Sequence, residues 1–326
     1  MRKALVLLFH KEENGRLFEK IILATKRRYR LVSLHELEHL IKQKQDLKNI
    51  CHLSFDDGDI SFYNVVFPVL KKHHVPASLF LSPDVISTNT NYWFQEVQDY
   101  DEKTVKQILS QQLNIPEGKL NHTPLKFIFK CLPIKKIENI IEIYQQQTKC
   151  RIKKPVNITL SQLKELAASD LVTIGAHTLK HPVLKNENDA DSRHEITASI
   201  KKLEALTGKP VTYFAFPNGI PGLDFGEREM SYLRENNITL AFSAELDNLS
   251  AEHNLLSLPR MGFARMGLDP SNPLIFFRLN LGKRWIDIKS IGRLTEKVAR
   301  ERIMALLNHS MKAAGSSTSN QPIIYQ

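Results

Sequence analysis

Two segments combine residue types and spacing that could do chemistry. Asp56-Asp57-Gly58 closes an apolar run that starts at Ile50. His177 and His181, separated by Thr178-Leu179-Lys180, close another run about 120 residues later. Two imidazoles and one carboxylate are a three-donor set for a divalent cation. Adjacent carboxylates are costly, because like charges at short range raise one of the two pKa values. A cation held by one aspartate removes that cost and leaves the other free to accept a proton from water. That inventory suits a metal-dependent hydrolase. Pro217-Asn218-Gly219 follows a third apolar run, and the backbone N–H groups of such a turn could face an oxyanion. Each piece alone has a plainer reading, as two unrelated histidines or as ordinary Asp-Gly and Asn-Gly turns.

The elements that must position these residues follow from periodicity. Strands are expected at Ala4–Phe9, Ile50–Phe55, Ala77–Leu81, Leu171–Ala176, Val211–Phe216, Thr239–Ser243 and Leu255–Pro259. Helices are expected at Ser33–Gln43, with Ser33 and Glu36 forming a capping box, and at Phe62–His73, kinked or starting late at Pro68. Further helices are expected at Ser161–Ala168, capped by Ser161, at Asp191–Thr207, closed by Gly208, and at Glu227–Asn236. From about Asp99 to Lys154 the pattern changes to polar amphipathic helices, Thr104–Leu113 and Ile134–Gln147, which reads as a helical insertion. Alternating strands and helices predict an α/β fold with a parallel sheet. The polar residues of interest all follow carboxyl ends of strands, where barrel-type α/β proteins build their sites. The i,i+4 spacing of His177 and His181 predicts one helical turn with both rings on one face.

Composition narrows the class. Hydrophobic content is 42% and charged content 25%, ordinary for a globular protein. Cys51, Cys131 and Cys150 have no ligand-like spacing, so they read as reduced thiols and zinc binding through cysteine is not expected. The apolar run after Met1-Arg2-Lys3 is shorter than a secretory core and reads as a first strand, so no signal peptide is expected. No stretch reaches the length of a membrane span. The expected location is therefore the cytoplasm or the cytoplasmic membrane face. Net charge is +10, and between Arg278 and Lys312 nine Lys/Arg face three Asp/Glu. This basic tail suits either a solvated helix face or contact with an anionic membrane surface or substrate. Nucleic-acid binding is not expected, since no basic-aromatic stripe or binding motif is present.

In their order along the chain these pieces resemble the polysaccharide deacetylase family, carbohydrate esterase family 4. The resemblance covers roughly residues 1–265 and rests on Leu8-Phe9-His10, the SFDDG segment, Phe67-Pro68-Val69-Leu70-Lys71-Lys72, Tyr92-Trp93-Phe94, IGAHTLKHP, YFAFPNG and Leu258-Pro259-Arg260. It implies a distorted (β/α) barrel of about seven parallel strands spanning 1–270, with the helical insertion at about 99–154. Residues 271–326 would form a basic helical tail with a disordered end, Ala313–Asn320. It also implies that Asp57, His177 and His181 bind a divalent metal, usually Zn2+, that Asp56 is the general base and that the backbone N–H of Asn218 helps hold the oxyanion. The products would be a free amine on the sugar and acetate. His10, Tyr92, Trp93, Pro217 and Arg260 are candidate substrate contacts, with the aromatic rings able to stack on a sugar or simply to pack. His52 reads as a core or supporting histidine.

Three departures from the family pattern stand out. The segment matched by YFAFPNG lacks the arginine of the fuller pattern. The late Leu-His pair, whose histidine protonates the leaving amine, has no counterpart, since the only histidine after Leu258 is His309. The aspartate that tunes that histidine is also unassigned, although Glu245 and Asp247 lie in its neighbourhood. The leading expectation is removal of N-acetyl groups from an amino sugar of a surface polysaccharide or its precursor, possibly lipid-linked. Hydrolysis of another, non-sugar and cyclic amide on the same site is an alternative, as is a catalytically idle carbohydrate-binding homologue.

Overall fold

A computed structural model describes residues 2–151, 153–262 and 294–308. They form two compact units: residues 2–91 with 154–262, and residues 92–151 and 153 with 294–308.

The first unit opens with β1 (Leu5–Phe9), buried along its whole length. Helix α1 (Gly15–Lys26) and strand β2 (Arg30–Leu31) have no counterpart in the sequence reading. The α1 spacing is nonetheless helical, with Leu17, Phe18, Ile21 and Ile22 buried on one face and the Asn14 side chain capping Leu17 N–H. Helix α2 (Leu34–Lys42) carries the expected cap, Ser33 Oγ accepting from Glu36 N–H. Strand β3 (Ile50–Asp56) runs one residue further than expected and takes Asp56 into the sheet. The Pro68 segment starts late: Phe62–Val66 is a π-turn and α3 is Phe67–His73, with the proline in its first turn where no donor is needed. Strand β4 (Ala77–Leu81) and α4 (Pro83–Thr88) follow.

The second unit is helical: α5 (Trp93–Glu96), α6 (Glu102–Leu113), α7 (Glu117–Leu120), α8 (Leu125–Phe129), α9 (Ile134–Thr148) and a last helix over 294–308. It has its own apolar core, including Val105, Leu109, Phe129, Ile137 and Ile303. Apart from 294–308, the expected basic tail, with His309 and Ala313–Asn320, lies outside the described residues. Among the described residues no helix is long and apolar enough to cross a membrane.

Residues 154–262 complete the first unit with α10 (Leu160–Ala168), β5 (Val172–Ala176), α11 (Asp189–Thr207), β6 (Tyr213–Ala215), α12 (Glu227–Glu235), β7 (Leu240–Phe242) and β8 (Met261–Gly262). Two expectations are corrected here. The α10 cap is Thr159, which exchanges bonds with Gln162 in a capping box, and Ser161 lies inside the first turn. Leu255–Pro259 is not a strand, since only Leu258 bridges to Phe242. Pro259 has no N–H for a ladder, and the chain re-enters the sheet at Met261.

The sheet order is β7-β6-β5-β4-β3-β1-β8, with β2 also on β3, and all named strands pair in parallel. The seven strands of that path form a curled half-barrel with surrounding helices, and β2 adds a short eighth on β3. Side chains alternate faces along each strand. On β3, Cys51, Leu53 and Phe55 pack outward against Phe18 and Ile21 of α1. Ile50 joins the inner cluster with Phe80, Tyr213, Ala215 and Phe242, so His52, Ser54 and Asp56 share the inner face. That alternation aims Asp56 into the barrel mouth.

Candidate active site

Asp56 and Asp57 are adjacent, yet they point apart because the chain turns between them. Asp56 is the last residue of β3, while Asp57 adopts a left-handed conformation at φ +70 and Gly58 follows at φ +72. A Cβ at Gly58 would lie 2.4 Å from Leu81 Cδ2, so the buried leucine would have to move, and the left-handed φ also favours glycine. The turn leaves Asp56 on the inner face and swings Asp57 toward the histidines.

His177 and His181 do not share a helical turn. The segment after β5 is a loop in which Thr178 and His181 are both left-handed, at φ +62 and +63. Such a conformation is an outlier for a β-branched residue and persists only where the surroundings over-determine it. Here they do. The Thr178 hydroxyl accepts from His181 N–H at 3.0 Å and donates to the His177 carbonyl at 2.5 Å. Ser82 Oγ donates to the same carbonyl. Glu195 of α11, itself buried, accepts from Leu179 N–H at 2.9 Å and Lys180 N–H at 3.1 Å. Burial pushes the Glu195 carboxyl up to about 7, against the lowering effect of those two bonds.

The loop brings Asp57, His177 and His181 together, all three buried, with one donor atom from each within 4.8 Å of the others. His177 Nε2 lies 3.7 Å and His181 Nε2 3.6 Å from Asp57 Oδ1. Two imidazole nitrogens and a carboxylate oxygen converging in this way could hold a common divalent cation. The His177 ring is oriented: its Nδ1–H donates to the Ala215 carbonyl at 2.6 Å, which turns Nε2 toward Asp57. Burial holds His177 at about 4 and His181 well below the ordinary imidazole range, so both are neutral. Burial, with Asp56 adding to it, pushes the Asp57 carboxyl well above its usual value. Neutral imidazoles are the binding form, and a cation is what favours the ionised form of Asp57. The donor set fits a divalent metal.

Asp56 has a different environment. Burial raises its pKa, but the charge and hydrogen bonds of Arg260 outweigh burial, and the net shift is downward. Arg260 is fully buried and forks onto Asp56 with bonds of 2.7 and 2.8 Å. It also donates to Ser54 Oγ and to the Ser243 carbonyl. Each Asp56 oxygen keeps a second lone pair for a proton. Arg260 lies on Asp56 rather than in the open, and the Leu258-Pro259-Arg260 segment was the only sequence signal for it.

The remaining candidates are placed as follows. His10 follows β1, whose Phe9 is in register with Phe55, so it stands beside Asp56. Its charge acts on Asp56, His177 and His181 alike. Pro217 is buried, and Asn218 is left-handed at φ +60, with its side-chain Nδ2 buried. Tyr92 and Trp93 belong to the second unit and are buried, Trp93 in that unit's core, stacking on Phe129 at 5.9 Å. His52 bonds to the Val32 carbonyl and Ser78 Oγ, both at 2.9 Å, as a supporting histidine would. Glu245 and Asp247 are exposed, and Asp247 faces His253 at 3.8 Å.

A family model described as polysaccharide deacetylase matches residues 43–237, more than half of the chain. Among solved structures, the Streptococcus pyogenes deacetylase PplD in complex with acetate is similar with a TM-score of 0.55 and 19% identity, over 83% of this chain and 96% of that one. IcaB from Ammonifex degensii gives 0.54 and 17%, over 81% and 93%. The BpsB deacetylase domain from Bordetella bronchiseptica gives 0.50 and 15%, over 80% and 95%. At these identities the likeness is one of fold. No curated protein sequence matches the chain.

Proposed function

The chain belongs to the polysaccharide deacetylase family, and from that premise we propose that it is a metal-dependent hydrolase removing N-acetyl groups from an amino sugar of a surface polysaccharide or its precursor. The observation that carries this reading is the buried Asp57–His177–His181 donor set lying next to an aspartate held ionised by Arg260. Asp57, His177 and His181 would hold the cation, and zinc suits two imidazoles and a carboxylate. Bound there, it would supply Lewis acidity toward a water and the acetamide carbonyl.

The chain's own groups account for the proton movements. Asp56 accepts a proton from the attacking water, whose oxygen forms the new bond to the carbonyl carbon. Arg260 fixes Asp56 in place and keeps it deprotonated. The backbone N–H of Asn218 donates to the developing oxyanion. His10, beside Asp56 at the mouth, donates the proton with which the amine leaves as the C–N bond breaks. Acetate and a free amino sugar result. The net basic chain suits an anionic or lipid-linked precursor at a membrane surface as the physiological substrate.

The test is acetate release from a panel of N-acetylated glycans by Zn2+-reconstituted protein beside its Asp56→Asn variant. Release that vanishes in the variant supports the reading. No release from any glycan by protein that carries metal would count against an N-acetyl sugar as substrate.

A further inference from the structure

A side chain of α11 holds the backbone of the loop that carries His181. Leu179 N–H and Lys180 N–H both end on Glu195 Oε2, at 2.9 and 3.1 Å. His181 N–H ends on Thr178 Oγ1. Three successive amides of the loop are therefore spoken for, two of them by a carboxylate on α11. The two metal-site histidines differ in support. His177 leaves the end of β5, its N–H bonds the Leu81 carbonyl, and its ring bonds the Ala215 carbonyl. His181 lies four residues further on, at a left-handed position that follows a second left-handed residue, Thr178. Its approach to Asp57 depends on the path of Leu179 and Lys180.

We propose that Glu195 is the positioning residue of the metal centre: by accepting the Leu179 and Lys180 amides it holds the left-handed loop that presents His181 to Asp57. This rests on the reading of Asp57, His177 and His181 as metal ligands. Glu195 touches neither metal nor substrate, so it acts through the backbone. What it supplies is an acceptor at a fixed distance. Glutamine keeps that acceptor and its reach, alanine removes it, and aspartate keeps the charge but is one methylene too short to span both amides.

The experiment measures Zn2+ affinity of the apoprotein by competition with a chromophoric chelator, for wild type, Glu195→Gln, Glu195→Asp and Glu195→Ala. Amide hydrogen exchange at Leu179 and Lys180 is followed in the same apoproteins. Loss of a group that orients ligands typically costs about 10–100-fold in metal affinity. We expect such a loss in Glu195→Ala and Glu195→Asp, near-wild-type affinity in Glu195→Gln, and faster exchange at the two amides wherever affinity falls. If Glu195→Ala does not fold, the Gln and Asp variants decide: geometry ranks Gln above Asp, whereas a role resting on charge ranks them the other way and overturns the proposal. Wild-type affinity in all variants overturns it too, with the metal reading intact. Absence of Zn2+ binding by the wild type would instead overturn the metal reading and this inference with it.

Discussion

Arg260 and Asp56, 204 residues apart in the chain, meet through two parallel hydrogen bonds of 2.7 and 2.8 Å inside the barrel mouth. Both side chains are buried, so the pair is an ion pair in which loss of one partner strands the other. Arg260 is the largest influence lowering the pKa of Asp56. Its removal raises that pKa, so Asp56, the proposed base, is protonated up to a higher pH. Arg260→Met should therefore cut kcat/KM by about 100-fold or more and move the acid limb of the pH profile upward. Arg260→Lys keeps a charge but loses the fork, so it should recover only part of the activity. The check is a pH profile of acetate release for both variants. An acid limb that stays in place would remove Arg260 from the account.

His10 stands beside Asp56 at the end of β1 and acts electrostatically on Asp56, His177 and His181. In its proposed role as proton donor to the leaving amine, His10 should be separable from the residues proposed as metal ligands. His10→Ala is expected to lower kcat by about 100-fold while leaving Zn2+ affinity within about twofold of wild type. Steady-state kinetics beside a metal titration give both numbers. A lost metal affinity would make His10 part of the binding site instead.

Metal removal should silence the protein reversibly. Dialysis against a chelator is expected to abolish acetate release, and one equivalent of Zn2+ should restore it. Asp57→Ala should show no such recovery, because it leaves two imidazoles without their carboxylate. Zn2+ at 100 times its Kd should stabilise the fold by about 2.7 kcal/mol, visible as a raised Tm in wild type and not in Asp57→Ala.

His52 should make stability depend on pH. Burial holds its pKa at about 4, below the ordinary 6.5, and its ring is spanned by Val32 and Ser78. Between those two values the unfolded chain binds more protons than the folded one. Stability is thus fully present above about pH 6.5 and falls as pH drops toward 4, by up to about 3 kcal/mol from this group. His52→Gln, whose amide does not titrate there, should show a shallower loss of urea resistance between pH 7 and 4.5. Equal slopes in the two proteins would contradict a neutral buried His52.

The sequence by itself determined the strands that run up to Asp56 and His177, the α/β alternation, and the candidate donors Asp56 or Asp57 with His177 and His181, the choice of Asp57 coming from the family resemblance. These are local properties: a short apolar run specifies a buried strand, and a polar residue at its end lands at the mouth of the barrel. Local periodicity failed where backbone conformation is set by distant partners. The spacing of His177 and His181 reads as a helical turn, but left-handed Thr178 and His181 make it a loop, in which the His181 amide that a helix would have bonded to the His177 carbonyl goes to the Thr178 hydroxyl and the Glu195 carboxylate holds the two amides before it. Pro259 ended an apparent strand two residues before the real one began. The pairing of Arg260 with Asp56, the reach of Glu195 to Leu179 and Lys180, and the nearness of His10 to Asp56 belong to the tertiary structure alone. Each joins residues that no window of sequence contains together, and each depends on which strands the closing sheet makes neighbours.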